Sequence, residues 1–178
     1  MTPEAAAALR DQVRAVPDFP RAGILFRDIT PLLGDAGALR ATVAALVEPL
    51  AGAGVDLVVG AEARGFLLGP ALATAIGAGF APARKPGRLP GTTRRAAYAL
   101  EYGEDALELH SDAVAPGARV VVHDDLLATG GTAGAMCELV QGAGGDVVAA
   151  SFVIELALLG GRARLAPLPV HSVIAYED

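Results

Sequence analysis

The residues best suited to chemistry sit together past the middle of the chain. Two adjacent acids, Asp124 and Asp125, are followed after Leu126 and Leu127 by Ala128-Thr129-Gly130-Gly131-Thr132. Ionised carboxylates are acceptors only, so this pair suits sugar hydroxyls or Mg2+ and repels a bare phosphate. The loop behind it has the opposite character. Two hydroxyls and a run of small residues can turn backbone N–H groups onto a phosphate, and a helix beginning there adds the positive end of its dipole. The loop is uncharged, so neutralising a polyanion falls to a metal or to basic residues elsewhere.

Two stretches could supply that charge. In Ala61-Glu62-Ala63-Arg64-Gly65-Phe66, Arg64 can fork onto phosphate oxygens while Gly65 permits close backbone approach. Taken alone, the same pattern also reads as a solvated Arg64–Glu62 pair. Arg84-Lys85-Pro86-Gly87-Arg88 and the nearby Arg94 and Arg95 gather cations in a chain with 14 Lys+Arg against 20 Asp+Glu. Alone this run reads as a solvated face. Its Gly and Pro content equally fits a loop that closes over a ligand.

The elements that must position these groups follow from hydrophobic patterning. Val120-Val121-Val122 is an apolar, β-branched run that reaches His123 and the acids, and a helical pattern covers residues 133–140. Residues 55–60 read as a strand before a helix over 66–76. Residues 79–84, 147–156 and 170–176 read as further strands, and 3–13 and 39–50 as helices. Residues 98–101 and 106–110 alternate enough for a hairpin. Strands this uniformly apolar, alternating with helices, predict an α/β fold with a mostly parallel central sheet flanked by helices. Ligand groups then gather at the carboxyl ends of the strands, where residues 60, 84 and 123 all fall. Residues 19–31 interleave aromatic, basic and acidic side chains without a clean period. They read either as a cover packing Phe19, Ile24 and Phe26 on the domain, or as a loop offering a flat base apolar contacts and backbone hydrogen bonds.

Composition narrows the function. With 178 residues the chain is one domain, residues 1–34 forming an N-terminal cap, and its 53% hydrophobic content with 4% aromatic and no Trp requires an aliphatic core. A net charge of −6 argues against nucleic acid or an anionic membrane as partner. No apolar stretch approaches a membrane span, and the acidic N-terminus lacks a signal core, so a cytoplasmic protein is expected. The single cysteine, Cys137, excludes an internal disulfide and reads as a buried small hydrophobe. There is no GxGxxG opening a helix, no GK[ST] and no GxSxG, and His110, His123 and His171 are too scattered for a zinc site. What remains is a site for a phosphorylated sugar that carries a second, leaving phosphate group.

Residues 123–132, HDDLLATGGT, resemble the phosphoribosyl-pyrophosphate (PRPP) signature of the type I phosphoribosyltransferases. FPRAGILFRDITP (residues 19–31), EARGF (62–66), RKPGRLPG (84–91) and LEYGEDALELH (100–110) occur in the order and spacing of the adenine-specific members, so the resemblance runs over residues 17–176. It implies transfer of ribose 5-phosphate from PRPP to N9 of adenine, giving AMP and pyrophosphate with Mg2+ present, in a cytoplasmic homodimer. Carried onto this chain, it makes Ala128, Thr129, Gly130, Gly131 and Thr132 the 5′-phosphate loop. Asp124 and Asp125 hold the ribose hydroxyls, directly or through Mg2+, which otherwise binds mainly through PRPP. Arg64 and Lys85, helped by Arg84 and Arg88, take pyrophosphate. Leu25 and Arg27 read the adenine edge through their backbone, and Leu126 walls the ring. Glu101 handles the proton lost from the base, and Tyr102 belongs to the lid.

Two positions depart from the family pattern. His123 replaces a small aliphatic residue; it reads as a packed, hydrogen-bonded histidine or as a group tuning Asp125, which would make activity pH-dependent near neutrality. Ala22 replaces a proline and loosens the base-covering loop. A 6-oxopurine phosphoribosyltransferase is the nearest rival reading, set against it by FPRAGILFRDITP. A non-catalytic PRPP-binding regulator of nucleic acid is disfavoured by the negative charge.

Overall fold

The computed structural model describes residues 2–99 and 104–177. Helix α1 (Pro3–Asp11) starts at Thr2, whose side chain accepts from the Ala5 amide, with proline at its first position, where the missing N–H costs nothing. Strands β1 (Arg14–Pro17) and β2 (Leu25–Asp28) then pair antiparallel, so the N-terminal segment is a small hairpin. The aperiodic sequence hid it because neither strand buries a face, their residues being exposed or half-buried throughout, and in the turn between them Phe19 is 51% and Ile24 43% exposed. Helices α2 (Thr30–Gly34) and α3 (Ala36–Val47) follow, the second capped by Asp35 accepting from the Ala38 amide at 2.7 Å. Pro49 turns the end of α3 into a short 3-10 turn.

Next come β3 (Leu57–Ala61), α4 (Gly65–Ile76), β4 (Gly79–Ala83), the antiparallel pair β5 (Thr93–Ala99) and β6 (Glu104–His110), β7 (Arg119–Leu127), α5 (Gly131–Gly142), β8 (Asp146–Leu156), α6 (Gly161–Leu165) and β9 (Val170–Tyr176). The predicted parallel sheet is present, in the order β4-β3-β7-β8-β9. One face packs Val58, Val121 and Ile154 against Leu46, Leu68 and Leu72 of α3 and α4, with Leu9 and Leu32 beyond them. The other packs Val59, Val122 and Phe152 against Met136 and Leu139 of α5 and Leu107 and Leu109 of β6. Both faces are therefore dry, which is why these strands read as unbroken apolar runs.

Two boundaries differ from the sequence reading. Strand β5 begins at Thr93, so Arg94 and Arg95 are exposed strand residues rather than part of a basic loop. Strand β7 does not stop at His123 but continues through both acids to Leu127, because pairing with β8 extends that far. Polar residues at a strand's end do not terminate it when the neighbouring strand still offers ladder partners. Among the described residues no helix is long and apolar enough to cross a membrane.

Candidate active site

Strands β3 and β7 are hydrogen-bonded neighbours and run the same way, so their carboxyl ends open side by side. Beyond β3 the chain passes through Glu62 and Ala63, joined by a cis peptide, to Arg64, and α4 begins at Gly65. Gly65 is required by packing: a Cβ there would lie 2.9 Å from the His123 carbonyl oxygen and 3.2 Å from Asp124 Oδ1. The close approach that the sequence suggested for Gly65 is thus made to β7 itself. It brings the head of α4 against the acids.

Arg64 Nε lies 3.0 Å from Asp125 Oδ2. The alternative Arg64–Glu62 pair is not what forms. Asp125 is 3% exposed, and its backbone N–H donates to Asp124 Oδ1 at 2.9 Å. Asp124 lies deep among surrounding atoms while part of its surface opens on a cavity. Burial, and then the neighbouring Asp125 charge, hold the Asp124 carboxyl well above the ordinary carboxylate range. Burial also raises Asp125, against the opposing pull of Arg64.

That cavity, of about 150 Å³, is lined by Arg64, Asp124, Leu126 and the whole Ala128–Thr132 loop, with Phe152 at its wall. The loop turns at Gly130, whose φ of +79° favours glycine, and runs into α5 at Gly131. A larger cavity of about 430 Å³ opens beside it, walled by Phe19, Phe26, Leu33 and Leu67 and sharing Arg64. The Arg64 guanidinium stands 5.2 Å from the Phe26 ring centre, and Phe19 meets Phe26 edge-on at 5.2 Å. A small polar cradle and an apolar slot thus meet at one arginine.

The other basic residues are placed differently. Arg84 binds both oxygens of Glu62, Nε to Oε2 and Nη2 to Oε1 at 3.2 Å each, and Arg88 Nη1 lies 4.0 Å from Glu62 Oε1. The Lys85 amide also donates to Glu62, at 2.9 Å, and that bond, followed by Arg84, holds the Glu62 carboxyl below its usual range despite burial. Lys85 Nζ is held by the Asp105 carboxylate and the Tyr98 hydroxyl; burial works against its charge, but those bonds raise its pKa above the ordinary lysine value. In this state Lys85, Arg84 and Arg88 do not line the acid-and-loop cavity with Arg64.

Leu25 is 44% exposed on the hairpin, and the Arg27 guanidinium sits 3.9 Å over the Tyr176 ring. Leu126, expected from the resemblance to wall the adenine ring, lines the acid-and-loop cavity and not the apolar slot. Glu101 and Tyr102 lie outside the described residues. Residues the sequence did not single out include Phe152, hidden in a long apolar run, and Asp28, which accepts from the Thr30 amide and hydroxyl at 2.9 and 2.6 Å. The Asp-x-Thr spacing before Pro31 was a readable signal for the second.

His123 corrects an expectation. It is fully buried, yet neither ring nitrogen has a hydrogen-bond partner of proper geometry; the nearby Ser151 backbone offers only partial compensation. Burial lowers its pKa to about 4, so the ring stays neutral from pH 6 to 8 and cannot tune Asp125 by titrating there. Cys137, expected to be buried, is half-buried against the core beside α5's apolar face, and burial pushes its thiol up to about 11.

Residues 32–165 match the phosphoribosyl transferase domain family. Along almost its whole length the chain is 56% identical to an adenine phosphoribosyltransferase of Methylobacterium sp. (strain 4-46), covering 99% of each protein. A crystal structure of adenine phosphoribosyltransferase from Rhodothermus marinus superposes with a TM-score of 0.94 at 50% identity, covering 98% of this chain and 100% of that one. The Saccharomyces cerevisiae enzyme, solved with an imino-altritol bisphosphate and adenine, gives 0.91 at 39% identity over 97% of this chain and 100% of its own.

Proposed function

The chain belongs to the phosphoribosyl transferase family and, within it, to the adenine phosphoribosyltransferases, and from that premise we propose how its residues share the work. The reaction passes the 5-phosphoribosyl group from PRPP to adenine, forming AMP and pyrophosphate in purine salvage. The observation that carries the assignment of roles is the single cavity in which Arg64, Asp124 and the Ala128–Thr132 loop meet.

In our reading the 5′-phosphate lies on Ala128–Thr132, with backbone N–H groups and the Thr129 and Thr132 hydroxyls donating to it at the head of α5. The ribose hydroxyls lie on Asp124 and Asp125. Pyrophosphate faces Arg64, which exchanges its Asp125 partner for phosphate oxygens, and Lys85, Arg84 and Arg88 approach from the second loop by giving up Asp105 and Glu62. Adenine enters the apolar slot beside Phe26, with the backbone of Leu25 and Arg27 at its edge, and its ring meets Leu126 only where the slot adjoins the loop cavity that Leu126 lines. N9 then bonds to C1′ as the C1′–oxygen bond breaks with its electron pair on pyrophosphate. The acids favour positive charge developing at C1′. The proton released by the base goes to Glu101, with Tyr102 beside it in the lid. No covalent enzyme intermediate is needed; positioning and electrostatics carry the rate.

The donor set fits Mg2+. Adjacent carboxylates are hard oxygen ligands, and Mg2+ takes one or two of them together with phosphate oxygens and waters. Among the described residues no group of three or more His, Cys, Asp or Glu is arranged to hold a metal, so Asp124 and Asp125 would share the ion with the donor. When bound, it neutralises charge on the pyrophosphate. We further read the enzyme as a cytoplasmic homodimer, on family resemblance, which light scattering tests for its dimeric part.

The deciding experiment incubates PRPP and Mg2+ with adenine, guanine, hypoxanthine or xanthine and reads nucleotide formation. AMP alone is expected; IMP, GMP or XMP formed at a comparable rate would overturn the base assignment. Glu101→Gln separates binding from proton handling: turnover should fall by about 10²-fold with PRPP binding kept, and unchanged turnover removes Glu101 from that role.

A further inference from the structure

The far side of the Ala128–Thr132 loop is braced by a part of the chain that none of the roles above uses. Gly161, the first residue of α6, packs so tightly beneath the loop that a Cβ there would lie 2.2 Å from the Ala128 carbonyl oxygen, 2.8 Å from Leu127 Cδ1 and 3.0 Å from the Gly130 nitrogen. The fit is reciprocal: a Cβ on Gly130 would lie 3.0 Å from the Gly161 carbonyl oxygen. The loop's position is therefore set by where α6 begins.

Helix α6 is only five residues long and makes little core of its own, with Gly161 and Leu165 buried. What fixes it is Arg162. Its Nε and Nη2 fork onto Glu155 Oε1 and Oε2 at 2.9 and 2.5 Å, its Nη1 donates to the Val170 carbonyl at 2.6 Å, and Nη2 also reaches Ser172 Oγ at 3.0 Å. Ser172 in turn donates to Glu155. Glu155 is 5% exposed at the end of β8, and the bond from Arg162 is the largest influence keeping its carboxyl ionised. A bidentate guanidinium–carboxylate pair fixes orientation as well as distance. Two sheet strands, β8 and β9, thus grip the residue next to the one that props the loop.

We propose that Glu155 and Arg162 are positioning residues for the 5′-phosphate, acting through Gly161 to hold the Ala128–Thr132 backbone at its phosphate-binding spacing. The inference rests on the reading of that loop as the 5′-phosphate site. It predicts a selective defect. Loss of the fork lets α6 and the loop drift together, so ligands carrying a 5′-phosphate weaken, while adenine and pyrophosphate, held elsewhere, do not.

The test measures AMP and pyrophosphate binding by titration, and steady-state kinetics, for the parent, Arg162→Met, Arg162→Lys, Ser172→Ala and Thr129→Val with Thr132→Val combined. In Arg162→Met the AMP dissociation constant and the PRPP KM should rise by about tenfold or more, with kcat at saturating donor within about twofold and pyrophosphate affinity unchanged. Arg162→Lys, which keeps charge without the fork, should recover part of the loss, and Ser172→Ala, a milder change that keeps the fold, should weaken AMP by about two- to threefold. Unchanged AMP affinity in both Ser172→Ala and a folded Arg162→Met overturns the proposal, as does an equal loss of pyrophosphate affinity. If the double threonine variant binds AMP as the parent does, the loop reading fails instead, and the two failures are told apart.

Discussion

Arg64 Nε stands 3.0 Å from Asp125 Oδ2, tying the residue that follows β3 to the buried acid near the end of β7. In the roles proposed above, the guanidinium assigned to the donor's pyrophosphate is thereby held, before the donor arrives, by the carboxylate assigned to its ribose. Each is the other's counter-charge until substrate replaces both. This arrangement keeps a buried acid ionisable without committing the arginine to a permanent structural pair.

Replacing Arg64 by Leu removes that counter-charge. Breaking a buried pair from one side costs several kcal/mol, but the Arg64 side chain is 42% exposed, so a loss of about 1–2 kcal/mol in unfolding free energy is expected. PRPP KM should rise at the same time by roughly 10²-fold, since a charged phosphate contact is lost. Urea melts and initial rates check both; a variant with parental PRPP affinity would place the pyrophosphate elsewhere.

Asp124→Asn should separate stability from function. Because burial and Asp125 hold the Asp124 carboxyl well above its ordinary range, its ionised form is a burden on the native state near neutral pH. The sign follows: a raised folded-state value means stability that is present at low pH and lost as pH rises through that value. The neutral amide should melt at or above the parent's temperature at pH 7.5 while turnover falls by about 10²-fold or more. A lower melting temperature with full activity would contradict both halves.

His123 predicts a pH effect on folding and none on turnover. Its pKa falls from 6.5 to about 4 in the native state, so between those values the unfolded chain binds a proton that the native one refuses. Stability is then lost as pH falls from 6.5 toward 4, by about 3 kcal/mol in total. In denaturant melts, the stability of His123→Val relative to the parent should improve by that amount over the same range. Across pH 6–8 the two turnover profiles should run parallel.

Asp105→Asn tests whether Lys85 must change partners. Lys85 Nζ is held by Asp105 and Tyr98, and weakening that hold should free it for pyrophosphate. A partly exposed pair is worth up to about 1 kcal/mol, so pyrophosphate affinity should improve by about two- to fivefold. Inhibition by pyrophosphate measures it, with Lys85→Met as the control that should weaken it.

Much of this protein was legible before any coordinates. The apolar runs at residues 120–122 and 147–156 pointed to strands buried on both faces, and so to a mostly parallel sheet, while the acids and the threonine–glycine loop suggested sugar hydroxyls and a phosphate by functional-group chemistry. The sheet was readable because burial belongs to residue types and is written locally. Partner choice is not. That Arg64 would take Asp125 rather than Glu62, that Lys85 would turn to Asp105, that His123 would be sealed without a hydrogen-bond partner, and that Gly161 would wedge under Gly130 depend on which strand ends lie side by side and how closely backbones approach. Distances of a few ångströms between residues tens of positions apart are set by sheet order and packing, and only the folded chain fixes them.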